Sequence, residues 1–149
     1  MTVNRKKLRD LSFKIVFSYD FYPHPELEEE TKLFLEQQEE LTEEDREEIL
    51  GRSLEIFRKI GELDREISEK TEGWRIERFS RVDLSIIRLA LYEMHYDPET
   101  PKKVAVNEAV ELAKVYGGDD SPKFVNGVLA KLIGEVREDT ESDGEPHDL

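Results

Sequence analysis

Cysteine is absent from the 149 residues, which excludes disulfide frameworks, cysteine zinc sites and thiol catalysis and fits a reducing compartment. Histidine is scarce: His24 lies between two prolines, His95 closes an apolar run and His147 falls near the end, so no pair has metal-ligand spacing. No window approaches the roughly 18 apolar residues of a membrane span. Met1-Thr2-Val3-Asn4-Arg5-Lys6-Lys7 leads into no pure apolar run with a small-residue cleavage site, so a cytoplasmic protein is expected. The glycine pairs follow no strand pattern and are neither a dinucleotide fingerprint nor a phosphate loop. Glu43-Glu44-Asp45 and Asp119-Asp120 are acidic enough to attract magnesium, but Asp119-Asp120 directly before Ser121 is better explained by the field at a helix start. With so few positioned titratable groups, no enzyme, metal or cofactor is expected.

What the chain has in abundance is charge, 39% of residues, with 36 acids against 22 bases and a net charge of −14. The sign is unevenly placed. Residues 1–19 hold Arg5, Lys6, Lys7, Arg9 and Lys14 against Asp10, a local +4; residues 26–48 carry 12 acids against Lys32 and Arg46, and residues 135–149 carry seven against Arg137. The acidic stretches read as solvated faces. The basic end does not, because a cationic arm on an anionic protein needs a reason to exist.

No stretch alternates long enough for a strand, whereas helical spacing of apolar residues is nearly continuous, predicting an all-helical chain of about seven helices. Leu8, Leu11, Ile15, Tyr19 and Tyr22 share one stripe, ended by Pro23, and a second helix from about Pro25 carries Leu27, Phe34 and Leu35. Thr42, with Asp45 three residues on, resembles an N-cap for a long helix whose inner face is Ile49, Ser53, Ile56, Ile60, Leu63 and Ile67. Gly51 and Gly61 inside it suggest close packing by a neighbour, and Gly73 breaks it. Val82 to Met94 is apolar on nearly every side and therefore central. Asn107 is the expected cap of the next helix, closed by Gly117-Gly118, and Ser121-Pro122 opens the last, which carries Phe124, Val125, Val128, Leu129, Leu132 and Ile133. One domain over 1–137 is expected, with bundles near 3–70 and 74–137 and a disordered acidic tail over 138–149.

Single-stranded RNA is gripped by cations on its backbone and aromatic faces on its bases. Four-residue steps from Arg5 through Arg9 reach Phe13 and Phe17. Phe13 reads as core; Phe17 stays open between core and stacking face.

Four blocks narrow the reading: Trp74-Arg75-Ile76-Glu77-Arg78-Phe79; Asp83-Leu84 with Arg88-Leu89-Ala90-Leu91-Tyr92-Glu93; Asn107-Glu108-Ala109-Val110-Glu111-Leu112-Ala113-Lys114-Val115-Tyr116-Gly117; and Lys123-Phe124-Val125-Asn126-Gly127-Val128-Leu129. In this order the chain resembles the NusB family of bacterial transcription antitermination proteins over about residues 5–134. The resemblance implies two packed helical bundles. It also implies pairing with the ribosomal protein NusE, binding of the boxA element of nascent ribosomal RNA, and action on the RNA polymerase elongation complex. The family's basic motif falls on Arg5, Lys6, Lys7 and Arg9, and its RNA-facing aromatic, usually tyrosine, on Phe17. Its RNA-contacting region near the last helix falls on Asp120, Lys123 and Phe124, with Glu77 at another RNA-proximal position and Asp83 at one facing NusE. Phenylalanine at 17 keeps a stacking face and loses a hydroxyl donor, and the lysines in the basic motif keep charge without a bidentate fork.

Other readings compete for the same residues. Arg88 is expected to be a buried cation paired with a carboxylate such as Glu93 or Glu111, and Trp74 a core plug. Asn126-Gly127 either admits close packing or lets Asn126 bond a neighbouring backbone. A helical protein–protein adaptor that never touches RNA is the alternative function, with a homodimer covering the RNA face among the expected partners. An accessory domain of an RNA methyltransferase is a third, for which the chain has no room to hold a catalytic domain.

Overall fold

The computed structural model describes residues 1–72 and 74–140, with side chains on the last helix described to residue 134. Gly73 and residues 141–149, most of the expected acidic tail, lie outside the described residues. Six α-helices run in order: α1 (Arg5–Ser18), α2 (Leu27–Glu36), α3 (Glu43–Lys70), α4 (Arg81–Tyr96), α5 (Lys102–Tyr116) and α6 (Ser121–Thr140), with 3-10 turns at His24–Glu26 and Ile76–Arg78. The all-helical class is as expected, with one α-helix fewer than anticipated and no strand among the described residues. The chain divides into two compact units, Met1–Glu62 and Leu63–Leu149, so the division lies inside α3.

The first unit is built on Leu8, Leu11 and Ile15 of α1, Leu35 of α2, Leu41 and Ile49. Thr42 starts α3 as expected: Thr42 Oγ1 accepts from the Asp45 amide at 3.0 Å while Asp45 Oδ2 accepts from the Thr42 amide at 3.1 Å. From α3, Arg46 donates back to the Leu35 and Gln38 carbonyls at 2.9 and 2.8 Å, adding to the backbone bonds those oxygens already accept from Gln38 and Leu41 and tying α3 to the turn after α2. All six residues expected on the inner face of α3 are buried. Gly51 and Gly61 have nothing within 4 Å of where a Cβ would stand, so close packing is not their reason. The first helix ends at Ser18, before the expected Pro23, and Tyr22 is 40% exposed.

In the second unit, α4 packs against α5 and α6. Its residues Asp83 to Met94 are all buried, as a central helix requires. Arg88 is among them, and its partner is neither Glu93 nor Glu111. Nε donates to Asp64 Oδ1 and a terminal nitrogen to Asp64 Oδ2, both at 2.8 Å, a two-pronged bond to α3. Helix α5 begins five residues before Asn107. Pro101, with φ −60°, supplies the entry conformation, and its carbonyl accepts from the Val104 and Ala105 amides. Helix α6 runs through Thr140, three residues beyond the expected end of ordered structure.

Asp64→Ala leaves a guanidinium at 3% exposure without its fork. The loss expected is about 2–4 kcal/mol, below the full cost of a broken buried pair because Asp64 is itself 31% exposed. Urea unfolding of wild type and variant measures it.

Candidate nucleic-acid interface

In the first unit, Asn4 caps α1, its side chain accepting from the Lys7 amide at 2.8 Å. Arg5, Lys6 and Lys7 therefore occupy the first helical turn, which contains no acid. Cations there oppose the helix dipole, at about 0.3–1 kcal/mol each where exposed. The helix dipole gives no reason for three in succession. Arg5 and Lys6 are exposed and Lys7 half-buried; Lys7 Nζ pairs with Glu40 at 2.9 Å, and that contact lowers the Glu40 pKa.

Arg9 departs from the expected set: it is 6% exposed, so its side chain is not open to a phosphate as those of Arg5 and Lys6 are. Four-residue steps advance about 40° around a helix, which has 3.6 residues per turn, and carry the row from solvent at Arg5 into the interior at Arg9 and Phe13. Phe13 is 3% exposed and belongs to the core. Phe17 is half-buried, 6.0 Å from Phe13 and 4.9 Å from Phe21 between ring centroids. Phe21, 58% exposed, extends the row, and it was findable by one more four-residue step.

The acidic stretch is not merely a solvated face. Asp45 is 1% exposed and accepts from the Thr2 amide at 2.9 Å and the Thr2 hydroxyl at 2.7 Å. These bonds, the hydroxyl's first, depress the Asp45 pKa to about 2. Asp45 thus holds both the start of α3 and the segment that leads into the basic turn. Nothing in the local spacing announces a contact across 43 residues.

In the second unit, the loop between α5 and α6 meets the start of α4 around a shallow cleft of about 400 Å³, lined in part by Phe79, Asp83, Asp120 and Phe124. Gly117 is obligatory there, because a Cβ would collide with the Ser121 side chain. Asp120 and Lys123 are exposed; Phe124 is half-buried and meets Phe79 edge-on at 4.9 Å. Glu77 is exposed, 3.7 Å from Arg75. Asp83 was expected at the surface but is 8% exposed, drawn in where its amide bonds the Ser80 cap at 3.0 Å. Its Oδ1 is buried with no hydrogen-bond partner, in a residue that lines the cleft. Trp74, expected as a core plug, is 37% exposed and rests on Phe124 with ring centroids 5.7 Å apart.

The structure thus groups Asp83 with Asp120 and Phe124 in one unit, and Arg5, Lys6, Lys7 and Phe17 on one helix of the other. Among the described residues no group of acids and histidines is arranged to hold a metal ion, and no helix is long and apolar enough to cross a membrane.

Residues 6–134 match the NusB family. The chain is 43% identical over 131 residues to a transcription antitermination protein NusB from Lachnoclostridium phytofermentans, covering 88% of this chain and 99% of that protein. It is 45% identical to the NusB of Agathobacter rectalis, covering 87% and 99% respectively. Among solved structures it is similar to T. maritima NusB, at a TM-score of 0.77 and 33% identity, covering 91% of this chain and 94% of that one.

Thr2→Val removes the hydroxyl that bonds Asp45 and should raise the Asp45 pKa from about 2 toward its ordinary 3.8, followed by NMR titration of the carboxyl. A depressed carboxyl pKa stabilises the fold above its unfolded-state value, and that contribution disappears as pH falls through the folded-state value. The variant should therefore be less stable than wild type near neutrality, with the gap closing toward pH 2.

Proposed function

The chain belongs to the NusB family of transcription antitermination proteins, and from that membership we propose that it works by binding boxA-type single-stranded RNA beside the ribosomal protein NusE in the cytoplasm, helping the RNA polymerase elongation complex pass terminators. The observation that carries the RNA reading is the first turn of α1. Arg5, Lys6 and Lys7 stand there against the helix dipole, on a chain whose net charge is −14. A polyphosphate strand offsets the repulsion between those charges and the helix dipole.

The roles follow from the chemistry of each residue. Arg5, Lys6 and Lys7 take backbone phosphates, while Arg9 supports the helix from within. Phe17 and Phe124 offer ring faces to bases. Asp120 and Glu77 cannot attract phosphate and serve instead as acceptors for the amino or imino groups of bases, with Lys123 beside Asp120 for the backbone. Asp83 lines the cleft with a buried Oδ1 that has no hydrogen-bond partner, and it accepts a cationic side chain of NusE that docks there. A basic partner docked there also offsets the protein's negative field.

Filter binding of a boxA-containing RNA, with and without NusE, tests this reading. Three phosphate contacts at about 0.7 each predict a log–log salt slope near −2. NusE should tighten the complex; absence of RNA binding under both conditions would favour the adaptor reading. Asp83→Asn should fold with a loss of about 0.3–1 kcal/mol from the weakened helix start. It should bind RNA alone as wild type does and lose most of the gain from NusE. Wild-type affinity for NusE in calorimetric titration of the folded variant removes Asp83 from that interface.

A further inference from the structure

Trp74 is the chain's sole tryptophan, and it is neither buried nor isolated. Phe79, directly after the Ile76–Arg78 turn, shows what a plug looks like here, at 8% exposure against 37% for Trp74. One side of the indole is supported. Phe124 meets it at 5.7 Å with planes tilted by 33°, and Phe124 is braced by Phe79 at 85°. Phe124, Gly127 and Lys131 recur along one stripe of α6. At the middle of that stripe a Cβ on Gly127 would come only to 4.0 Å from the indole edge, so no side chain there covers the ring. At its far end Lys131 places its ammonium 5.5 Å from the ring centroid. An open aromatic face supported from behind, with a cation beside it, has the two groups that a nucleotide needs: a stacking surface for the base and a charge for its phosphate.

We propose that Trp74 is a second stacking platform for single-stranded RNA, holding a nucleotide next to the one on Phe124, with Lys131 turning from the indole to that nucleotide's phosphate. The proposal rests on the RNA reading of Phe124 and extends it along α6. RNA is favoured over a protein occupant because the cations Lys123 and Lys131 flank the aromatic pair along the helix. Beyond the indole, Lys131 also lines a polar notch with Glu69, Lys70 and Glu72, whose charges balance, so the excess positive charge lies on the Trp74 side, with Lys123.

Because Trp74 is the only indole, its fluorescence reports this site alone. The full chain is titrated with boxA RNA and with the same RNA extended at either end, and quenching is compared with filter binding. The expected result is quenching that saturates together with binding. Trp74→Ala should weaken binding by about five- to a hundred-fold, Trp74→Phe should keep most of the affinity, and Lys131→Met should weaken binding and reduce the salt slope by about 0.7. If Trp74→Ala loses helix content, the wild-type quenching and Lys131→Met decide. RNA that binds with undiminished fluorescence overturns the platform and leaves the RNA reading standing. Quenching that appears only on adding NusE assigns the surface to a protein and also overturns it. RNA that fails to bind at all removes the parent reading and this inference with it.

Discussion

The fork between Arg88 and Asp64 is the constraint around which the second unit is arranged. A guanidinium at 3% exposure cannot stay charged in the middle of α4 without a carboxylate whose geometry matches it, and Asp64 on α3 provides two oxygens at 2.8 Å each. Apolar contacts along α4 tolerate small slides and rotations. A two-pronged bond does not, so it sets the register of α4 against the second half of α3. That register sets the direction of the Ser80–Asp83 end of α4, and with it one wall of the cleft that Phe124 and Asp120 complete.

The first unit solves a different problem, that of presenting like charges at a helix end that disfavours them. Its acids do this locally. Glu40 pairs with Lys7, and Asp45 ties down Thr2, two residues before the Asn4 cap. The acidic stretch that makes the whole chain anionic is therefore also what makes a cationic turn tenable. The Lys7–Glu40 pair holds only weakly, since both side chains are partly solvated.

The features most legible in the sequence were those set by periodicity over a few turns. The inner face of α3 from Ile49 to Ile67 and the buried length of α4 follow directly from the spacing of apolar residues. The Thr42 cap and the Ser121-Pro122 start of α6 follow from local hydrogen-bond chemistry. Less legible was whatever depends on partners distant in the chain. Arg88 meets Asp64 rather than Glu93 or Glu111, Asp45 meets Thr2, and Trp74 meets Phe124, none of them within one helix. Arg9 was misjudged for another reason: charge type pointed outward while helix geometry turned the side chain inward. The four-block resemblance pointed to Phe124 and Asp120, which spacing alone would not have singled out, and the structure adds that they line one cleft with Asp83.

The central claim is that two particular surfaces meet RNA, the first turn of α1 and the α5–α6 loop with the start of α6. Backbone amide NMR of the full chain, titrated with boxA RNA, tests it residue by residue. The account predicts saturable shifts concentrated at residues 5–7, Phe17, Glu77 and residues 120–124, with the α2–α3 corner changing only where Glu40 releases Lys7. Shifts confined to other faces, or a spectrum unchanged by a large molar excess of the RNA, would contradict it.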